Sequence, residues 1–91
     1  MVLTPSSLGH TDTFASQYHA LPQAIKKKVN RKLRLLSEDV HHESVRPCKV
    51  KSDKRYWEFK VDDDYEAVFK LNSARVMMYF VVDHKTFDKM F

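Results

Sequence analysis

The stretch YWEFKVDDDYEAVFKLNSARVMMYFVV, residues 56–82, decides the fold. Apolar and polar residues alternate along 56–61 and again along 65–71, which is the period of a strand with one buried face. The segment 75–82 is apolar on both faces, as expected of a strand inside a sheet. Residues that favour turns, three aspartates and then Asn-Ser, separate the three segments. The stretch therefore predicts three antiparallel strands joined in a meander.

Before the sheet, the sequence predicts two helices. Thr11 is a suitable N-cap for the first helix, and Asp12 follows in its first turn, where negative charge is favourable. Pro22 cannot lie inside a helix, so the helices break at Leu21–Pro22 and the second runs to about Ser37. Apolar residues recur at helical spacing through both segments: Phe14, Tyr18, Leu21, Ile25, Val29, Leu33 and Leu36. The two helices are therefore expected to form a hairpin with one apolar face.

The remaining segments have weaker patterns. Residues 1–5 are predicted to form a short strand and residues 6–10 a loop. Residues 37–47 are polar and predict a loop or a short irregular strand. The end, 84–91, is expected to be a single helical turn or a frayed tail. Together these elements predict an α+β fold, in which an N-terminal helical hairpin packs on a small antiparallel β-sheet, and a single domain over 1–91.

The composition excludes several classes of protein. The chain has 91 residues, with one Gly and one Cys, so a disulfide scaffold, a cysteine-based zinc site and a glycine-rich phosphate loop are excluded. No apolar run is long enough to span a membrane, and the first ten residues do not resemble a secretion signal. These features predict a protein of the reducing cytoplasm. The adjacent histidines His41 and His42 and the aspartates at 62–64 lack the spacing of metal ligands, so no metal site and no cofactor are predicted.

The net charge of +4 is unevenly distributed. Twelve of the sixteen Lys and Arg residues lie in two stretches, 21–36 on the second helix and 46–60 at the start of the sheet. Clustered positive charge is the pattern of proteins that bind a polyanion, because each phosphate that is neutralised releases a counterion. A solvated helix face with a solvated loop would give the same pattern, so both interpretations stay open at this point.

The meander topology predicts one group of chemically useful side chains. His84 follows the last strand directly, beside Lys85, and this strand end is expected to lie near Lys60 and Asp64. Cleavage of RNA needs a base for the 2′-hydroxyl, a cation for the phosphorane and an acid for the 5′-oxygen. Histidine suits proton transfer near neutral pH. From the residues alone, His84 is either such a group or an ordinary surface histidine.

The sequence also resembles the RelE/ParE superfamily of toxin–antitoxin toxins, from about Phe14 to Phe91. The segments that carry the resemblance are LPQAIKKKVNRKLRLL, HHESVRPCKV, YWEFKVDDDYEAVFKL and RVMMYFVVDHKTFDKMF. The resemblance implies a helical hairpin on a small twisted antiparallel sheet. It further implies a toxin neutralised by a cognate antitoxin. Relatives of the RelE-like branch cleave mRNA at the ribosome without a metal ion, and a histidine at the end of the last strand resembles that branch.

The resemblance implies a role for each matching residue. His84 matches a C-terminal histidine that acts as acid or base, and Lys60 matches a strand cation that would stabilise the phosphorane together with Arg46 or Arg55. Asp64 matches a turn aspartate that assists, and Phe87 lies near an aromatic that stacks on a base. The residues expected to bind mRNA and ribosomal RNA are Lys49, Lys51, Lys54, Arg55, Lys85 and Phe87.

One residue departs from the family pattern. Glu66 stands where many relatives have an arginine, so repulsion would replace stabilisation of a phosphate if its side chain faces the site. Two alternatives therefore stay open beside the mRNA endonuclease. One is a ParE-like protein that inhibits DNA gyrase without catalysis, and the other is a catalytically weak relative that binds only RNA or an antitoxin.

Overall fold

The computed structural model describes residues 4–91 and contains a five-stranded sheet and three helices. The elements in chain order are β1 Ser7–His10, α1 Asp12–His19, α2 Gln23–Glu38, β2 Cys48–Lys49, β3 Trp57–Lys60, β4 Tyr65–Asn72, β5 Arg75–Asp83 and α3 His84–Met90. The strand order is β1-β5-β4-β3-β2. Strands β2 to β5 are antiparallel, and β1 pairs with β5 in parallel. The predicted α+β class is confirmed, and the predicted meander forms β3, β4 and β5, but the sheet is mixed rather than purely antiparallel.

The first strand lies later in the chain than predicted. The prediction of a strand over 1–5 and a loop over 6–10 is wrong for the part that the structure describes, because Thr4 and Pro5 have no regular structure and Ser7–His10 is the strand. Residues 1–3 lie outside the described residues. The strand forms because its backbone pairs with Arg75–Met78 of β5, a contact between distant parts of the chain that no local pattern signals.

The helical hairpin follows the predicted signals closely. The hydroxyl of Thr11 accepts a hydrogen bond from the backbone N–H of Phe14 at 3.1 Å and so caps α1. The chain breaks before Pro22, and α2 continues one residue beyond the predicted end, to Glu38. Val29 and Leu36 on α2 are fully buried, and most of its cations face solvent. The apolar stripe of α2 therefore fixes the helix against the sheet.

The main core lies between the helical hairpin and one face of the sheet. Phe59, Ala67 and Phe69 point into it from neighbouring strands, and Phe69 is fully buried. A register shift at Val68/Phe69 leaves Tyr79 of β5 without a counterpart on β4. Because this bulge reverses which residues of β5 face the core, it accounts for the apolar character of both faces of that strand.

The other face of the sheet is partly covered by α3. Asp83 caps this helix, since its carboxylate accepts from the backbone N–H of Thr86 at 2.7 Å. With seven residues, α3 is longer than the predicted single turn. Its Phe87 and Phe91 have ring centroids 5.1 Å apart, and Phe91 lies 6.5 Å from Phe80 of β5. These aromatic contacts hold α3 over the end of β5, where a groove forms beside it.

Candidate active site

A groove of about 470 Å³ lies between α3, the second face of the sheet and the chain that follows β2. His84 and Phe87 line it from α3, Glu58 and Glu66 line it from the sheet, and Lys51 lines it from the loop. Glu58 and Glu66 share one face of the sheet because cross-strand neighbours on adjacent strands point to the same side. The groove therefore combines titratable, cationic and aromatic side chains.

His84 is fixed at the groove through both its backbone and its ring. Its backbone N–H donates to the carbonyl of Asp64 at 2.8 Å. Its ring Nδ1 donates to Oε1 of Glu66 at 2.9 Å, and Nε2 lies 3.4 Å from Oδ2 of Asp88. The hydrogen bond to Glu66, and then the charge of Asp88, raise the pKa of His84 above its ordinary value. The pair therefore holds the imidazole in one orientation and favours its protonated form.

Glu66 is a buried carboxylate in the floor of this groove. Its side chain is only 6% exposed, whereas that of His84 is 56% exposed. The neighbouring Glu58 is partly buried, and burial followed by the negative charge of Glu66 raises the pKa of Glu58. The exposed thiol of Cys48 lies in the same field, and burial of part of the side chain, followed by the charges of Glu58 and Glu66, raises its pKa. The floor of the groove is therefore acidic.

Lys60 lies beside this acidic floor. It is the cross-strand partner of Glu66, and its positive charge lowers the pKa of His84, which opposes the larger effects of Glu66 and Asp88. Its side chain is exposed and lines an adjoining depression together with Arg46. That depression shares Cys48 and Glu58 with the groove, so the two are continuous. Arg46 has a positive φ of 51°, and its Nε donates to the carbonyl of Glu43 at 3.0 Å.

The structure brings together some of the predicted site residues and separates others. His84, Lys49, Lys51 and Phe87 line the groove, and Lys60 and Arg46 line the adjoining depression. Asp64 reaches His84 through its backbone carbonyl. Lys54, Arg55 and Lys85 are exposed and line neither cavity.

Two of the predicted RNA-binding cations already interact with other groups of the chain. Arg55 makes two hydrogen bonds to the carboxylate of Asp53, at 2.9 and 2.7 Å. These bonds lower the pKa of Asp53 to about 2. The amine of Lys49 lies 5.8 Å from the ring centroid of Trp57. Two other predicted cations act on titratable groups of the groove, since the charge of Lys51 opposes the raised pKa of Glu58 and the charge of Lys60 opposes that of His84.

Comparison with known proteins identifies the family. The family model described as the ParE-like toxin domain matches residues 23–89. The chain belongs to this family. The predicted membership of the RelE/ParE toxin superfamily is thus confirmed, and the ParE-like domain is a toxin of the toxin–antitoxin class. No curated protein matches its sequence.

Solved structures show the same fold at low sequence identity. YafQ from E. coli strain BL21(DE3) is 15% identical with a TM-score of 0.74, and the match covers 88% of this chain and 94% of that chain. The RelB–RelE antitoxin–toxin complex from Methanococcus jannaschii is 16% identical with a TM-score of 0.68, and the match covers 90% of this chain and 96% of that chain. The YoeB–YefM complex from Staphylococcus aureus is 16% identical with a TM-score of 0.69, and the match covers 85% of this chain and 94% of that chain.

Sequence reasoning missed two acidic residues of the groove in this ParE-like domain. Glu58 lies on the same strand face as Lys60, because the two are separated by one residue. This alternation could have predicted that Glu58 lies at the site. Asp88 lies four residues after His84 on α3, a spacing that places the two side chains together on a helix. This second signal was hidden because 84–91 was not predicted to form a two-turn helix.

Residues 4–91 of this ParE-like domain contain no group of three or more His, Cys, Asp and Glu side chains arranged to hold a metal ion. Within the same range, no helix has both the length and the apolar character needed to cross a membrane.

Proposed function

We propose that this ParE-like toxin is an endoribonuclease that cleaves mRNA at the ribosome without a metal ion, and that a cognate antitoxin inhibits it in the cytoplasm. The observation that carries the proposal is the hydrogen bond of His84 to the buried carboxylate of Glu66 at the edge of a groove. A carboxylate that orients an imidazole and favours its protonated form prepares it to donate a proton.

The proposed reaction is an attack of the 2′-oxygen on the neighbouring phosphorus. As the 2′-hydroxyl loses its proton, the P–O5′ bond breaks, and the products are a 2′,3′-cyclic phosphate and a 5′-hydroxyl. Protonated His84 donates from Nε2 to the departing 5′-oxygen, exchanging its long contact with Asp88 for the substrate. Glu58 accepts the 2′-hydroxyl proton, because burial and the charge of Glu66 make it more basic than an ordinary glutamate.

The cations near the groove have the complementary role. Lys60 and Arg46, in the adjoining depression, stabilise the charge on the phosphorane. Asp64 supports His84 through its backbone carbonyl. Lys51 and Lys49 at the groove, with the cations at positions 54, 55 and 85 and the basic face of α2, contact the phosphates of mRNA and ribosomal RNA. Phe87, at the groove wall, stacks on a base.

The test compares cleavage of a defined mRNA on translating ribosomes by the wild type and by His84→Gln, with primer extension to locate the cuts and analysis of the new termini. We expect His84→Gln to cleave about 10²–10⁴-fold more slowly, the usual effect of losing one acid–base group. His19→Gln is the matched control, since His19 is exposed and lies on α1, away from the groove.

Equal cleavage by the wild type and His84→Gln would contradict the role of His84. If the wild type leaves mRNA intact but inhibits DNA supercoiling by gyrase, the ParE-like alternative is correct. If it does neither yet binds RNA, the interpretation as a catalytically weak relative is correct, and the acidic floor at Glu66 provides its physical reason.

A further inference from the structure

The helical hairpin contains a pocket that the proposed reaction does not use. The pocket has a volume of about 310 Å³ and lies between α1 and α2, on the face of the sheet opposite to the groove. Its apolar lining includes Phe14, Ala15 and Leu33, and its polar lining includes Tyr18 and Asn30. A concave apolar site with a few polar groups is the usual form of a site for a small organic group.

Aromatic rings give this pocket a flat wall. Phe14 and Tyr18 lie one turn apart on α1, with ring centroids 6.4 Å apart and an angle of 19° between the ring planes. Phe14 is buried, whereas Tyr18 is partly exposed. The amine of Lys26 lies 5.9 Å from the ring centroid of Tyr18 and forms no ion pair or hydrogen bond among residues 4–91. Because only the ring holds this amine, a planar group can displace it and stack on Tyr18.

Asn30 supplies hydrogen-bonding groups beside that ring. Its Oδ1 accepts from the hydroxyl of Tyr18 at 2.7 Å, which fixes the orientation of the amide. A second lone pair of Oδ1 and both N–H groups of the amide have no partner in the described part of the chain. A donor beside an acceptor on an amide is the pattern that pairs with N7 and the N6 amino group of adenine. The ring and the amide together match an adenine base.

The cations around Asn30 favour a base that belongs to a nucleic-acid strand. Lys26 and Lys27 lie four and three residues before Asn30, and Arg34 lies four residues after it, so all three are its neighbours on the helix surface. None of the three forms an ion pair among residues 4–91, and α2 has no acidic residue before Glu38. Lys26 and Arg34 are about 12 Å apart along the helix axis. A free nucleotide has phosphates on one side of its base, whereas a nucleotide within a strand has one on each side, which matches cations on both sides of Asn30.

We propose that the pocket between α1 and α2 binds an unstacked adenine base of a single-stranded RNA segment. The base stacks on Tyr18 and pairs with the amide of Asn30, and the phosphates on its two sides contact Lys26, Lys27 and Arg34. This inference rests on the proposed function for the choice of RNA as the partner. It does not depend on cleavage, since the hairpin and the groove lie on opposite faces of the sheet.

The test is an NMR titration of the ¹⁵N-labelled protein with a short 2′-O-methyl RNA strand that has one adenosine among uridines. The 2′-O-methyl group prevents attack by the 2′-oxygen, so cleavage does not interfere. The comparison ligands are the same strand with uridine at every position, and AMP as a free nucleotide. We expect saturable shifts of the backbone amides around Tyr18 and Asn30, and binding of the adenosine strand at least about fivefold tighter than that of either comparison ligand.

Variants separate the contact to the base from the contacts to phosphate. Asn30→Ala should bind both strands equally, because only the contact to adenine is lost. Arg34→Gln should weaken binding of both strands by a similar factor and make it less dependent on salt. Tyr18→Leu should weaken binding of the adenosine strand by at least about fivefold through loss of stacking. Asn72→Ala is the matched control, since Asn72 is exposed at the end of β4, and it should keep the wild-type preference.

Equal affinity of the wild type for the two strands, an unchanged preference in Asn30→Ala, or shifts confined to residues around the groove would each overturn the proposal. Binding of AMP as tight as that of the adenosine strand would overturn the assignment to a strand. Failure of the wild type to cleave mRNA in the assay above, with the adenosine preference intact, would refute only the proposed function. Cleavage by a protein that has no adenosine preference would refute only this inference.

Discussion

Replacing Glu66 with methionine should stabilise the protein, although the change removes a hydrogen bond. The glutamate side chain is 6% exposed, and its Oε2 has no partner in the described part of the chain. Its one hydrogen bond is to the ring of His84, which is more than half exposed, so solvent screens that interaction and replaces it when it is lost. Methionine has a similar volume, adapts to irregular space and leaves no buried charge.

The magnitude follows from the orphan oxygen. A buried acceptor without a donor costs about 1–3 kcal/mol, and replacing buried ionic groups with apolar ones of similar volume changes stability by about 0–4 kcal/mol in the favourable direction. After allowance for the lost bond to His84, we expect the free energy of unfolding to rise by about 1–2 kcal/mol. In a domain of this size each kcal/mol raises Tm by about 4–8 °C.

The gain should depend on pH, because the pKa of His84 is raised in the folded state above its ordinary value of 6.5. The contribution of protonated His84 to wild-type stability is therefore fully present below 6.5 and is lost as the pH rises through the folded pKa. Glu66→Met lacks most of this contribution at every pH. Urea unfolding should thus show a smaller gain at about pH 5.5 than at about pH 8.5.

Glu43→Met controls for the change in net charge. Glu43 lies in an exposed turn, so its replacement should alter the free energy of unfolding by no more than about 0.5 kcal/mol. The reasoning is refuted if Glu66→Met lowers the free energy of unfolding at about pH 8.5 by more than about 1 kcal/mol while Glu43→Met does not. That result would mean that the carboxylate stabilises the fold rather than burdening it.

Three further predictions concern the rest of the fold. Phe69→Ala should lower the free energy of unfolding in urea by about 3–5 kcal/mol, because Phe69 is fully buried between the sheet and the hairpin. Ala74→Gly should raise the free energy of unfolding by about 0.5 kcal/mol and so raise Tm slightly, because Ala74 has a φ of 67°, which glycine adopts more readily than alanine. The carboxyl of Asp53 should titrate by NMR near 2, and Arg55→Gln should return it towards 3.8, so this pair's contribution to stability is present above 3.8 and is lost as the pH falls.

The hairpin and the meander could be predicted because their signals are local. Thr11 as a cap and Pro22 as a break act within one helical turn, and the alternation around Phe59 and Phe69 depends only on strand geometry. The first strand could not be predicted, because Ser7–His10 has no strand pattern of its own and forms only by pairing with distant β5. The length of α3 could not be predicted either, because so short a helix has little stability of its own and depends on its aromatic contacts with the sheet.

Part of the site could be predicted from the topology of the meander. His84 was expected near Asp64 and Lys60 because antiparallel pairing of β4 and β5 brings the end of β5 back to the preceding turn, and Tyr65 is paired with Asp83 as this requires. Glu66 is the cross-strand partner of Lys60 and so lies on the same face of the sheet, a placement that was not predicted. Its burial was not predictable without α3, which closes over that face, and the hydrogen bond between Glu66 and His84 depends on that closure.

The buried Glu66 contributes to the state of His84 rather than to the stability of the fold. The fold does not need this carboxylate, since an apolar side chain would fill the same space, and its unpaired oxygen is a cost that a structural role does not offset. What the carboxylate does provide is a raised pKa for His84, because its hydrogen bond to the ring favours the protonated imidazole. In the RNA cleavage that we propose, a protonated imidazole donates a proton and does not also accept one, so the 2′-hydroxyl proton goes to another group. Glu58, the partly buried carboxylate that shares the groove and has a raised pKa, is the group placed to take it.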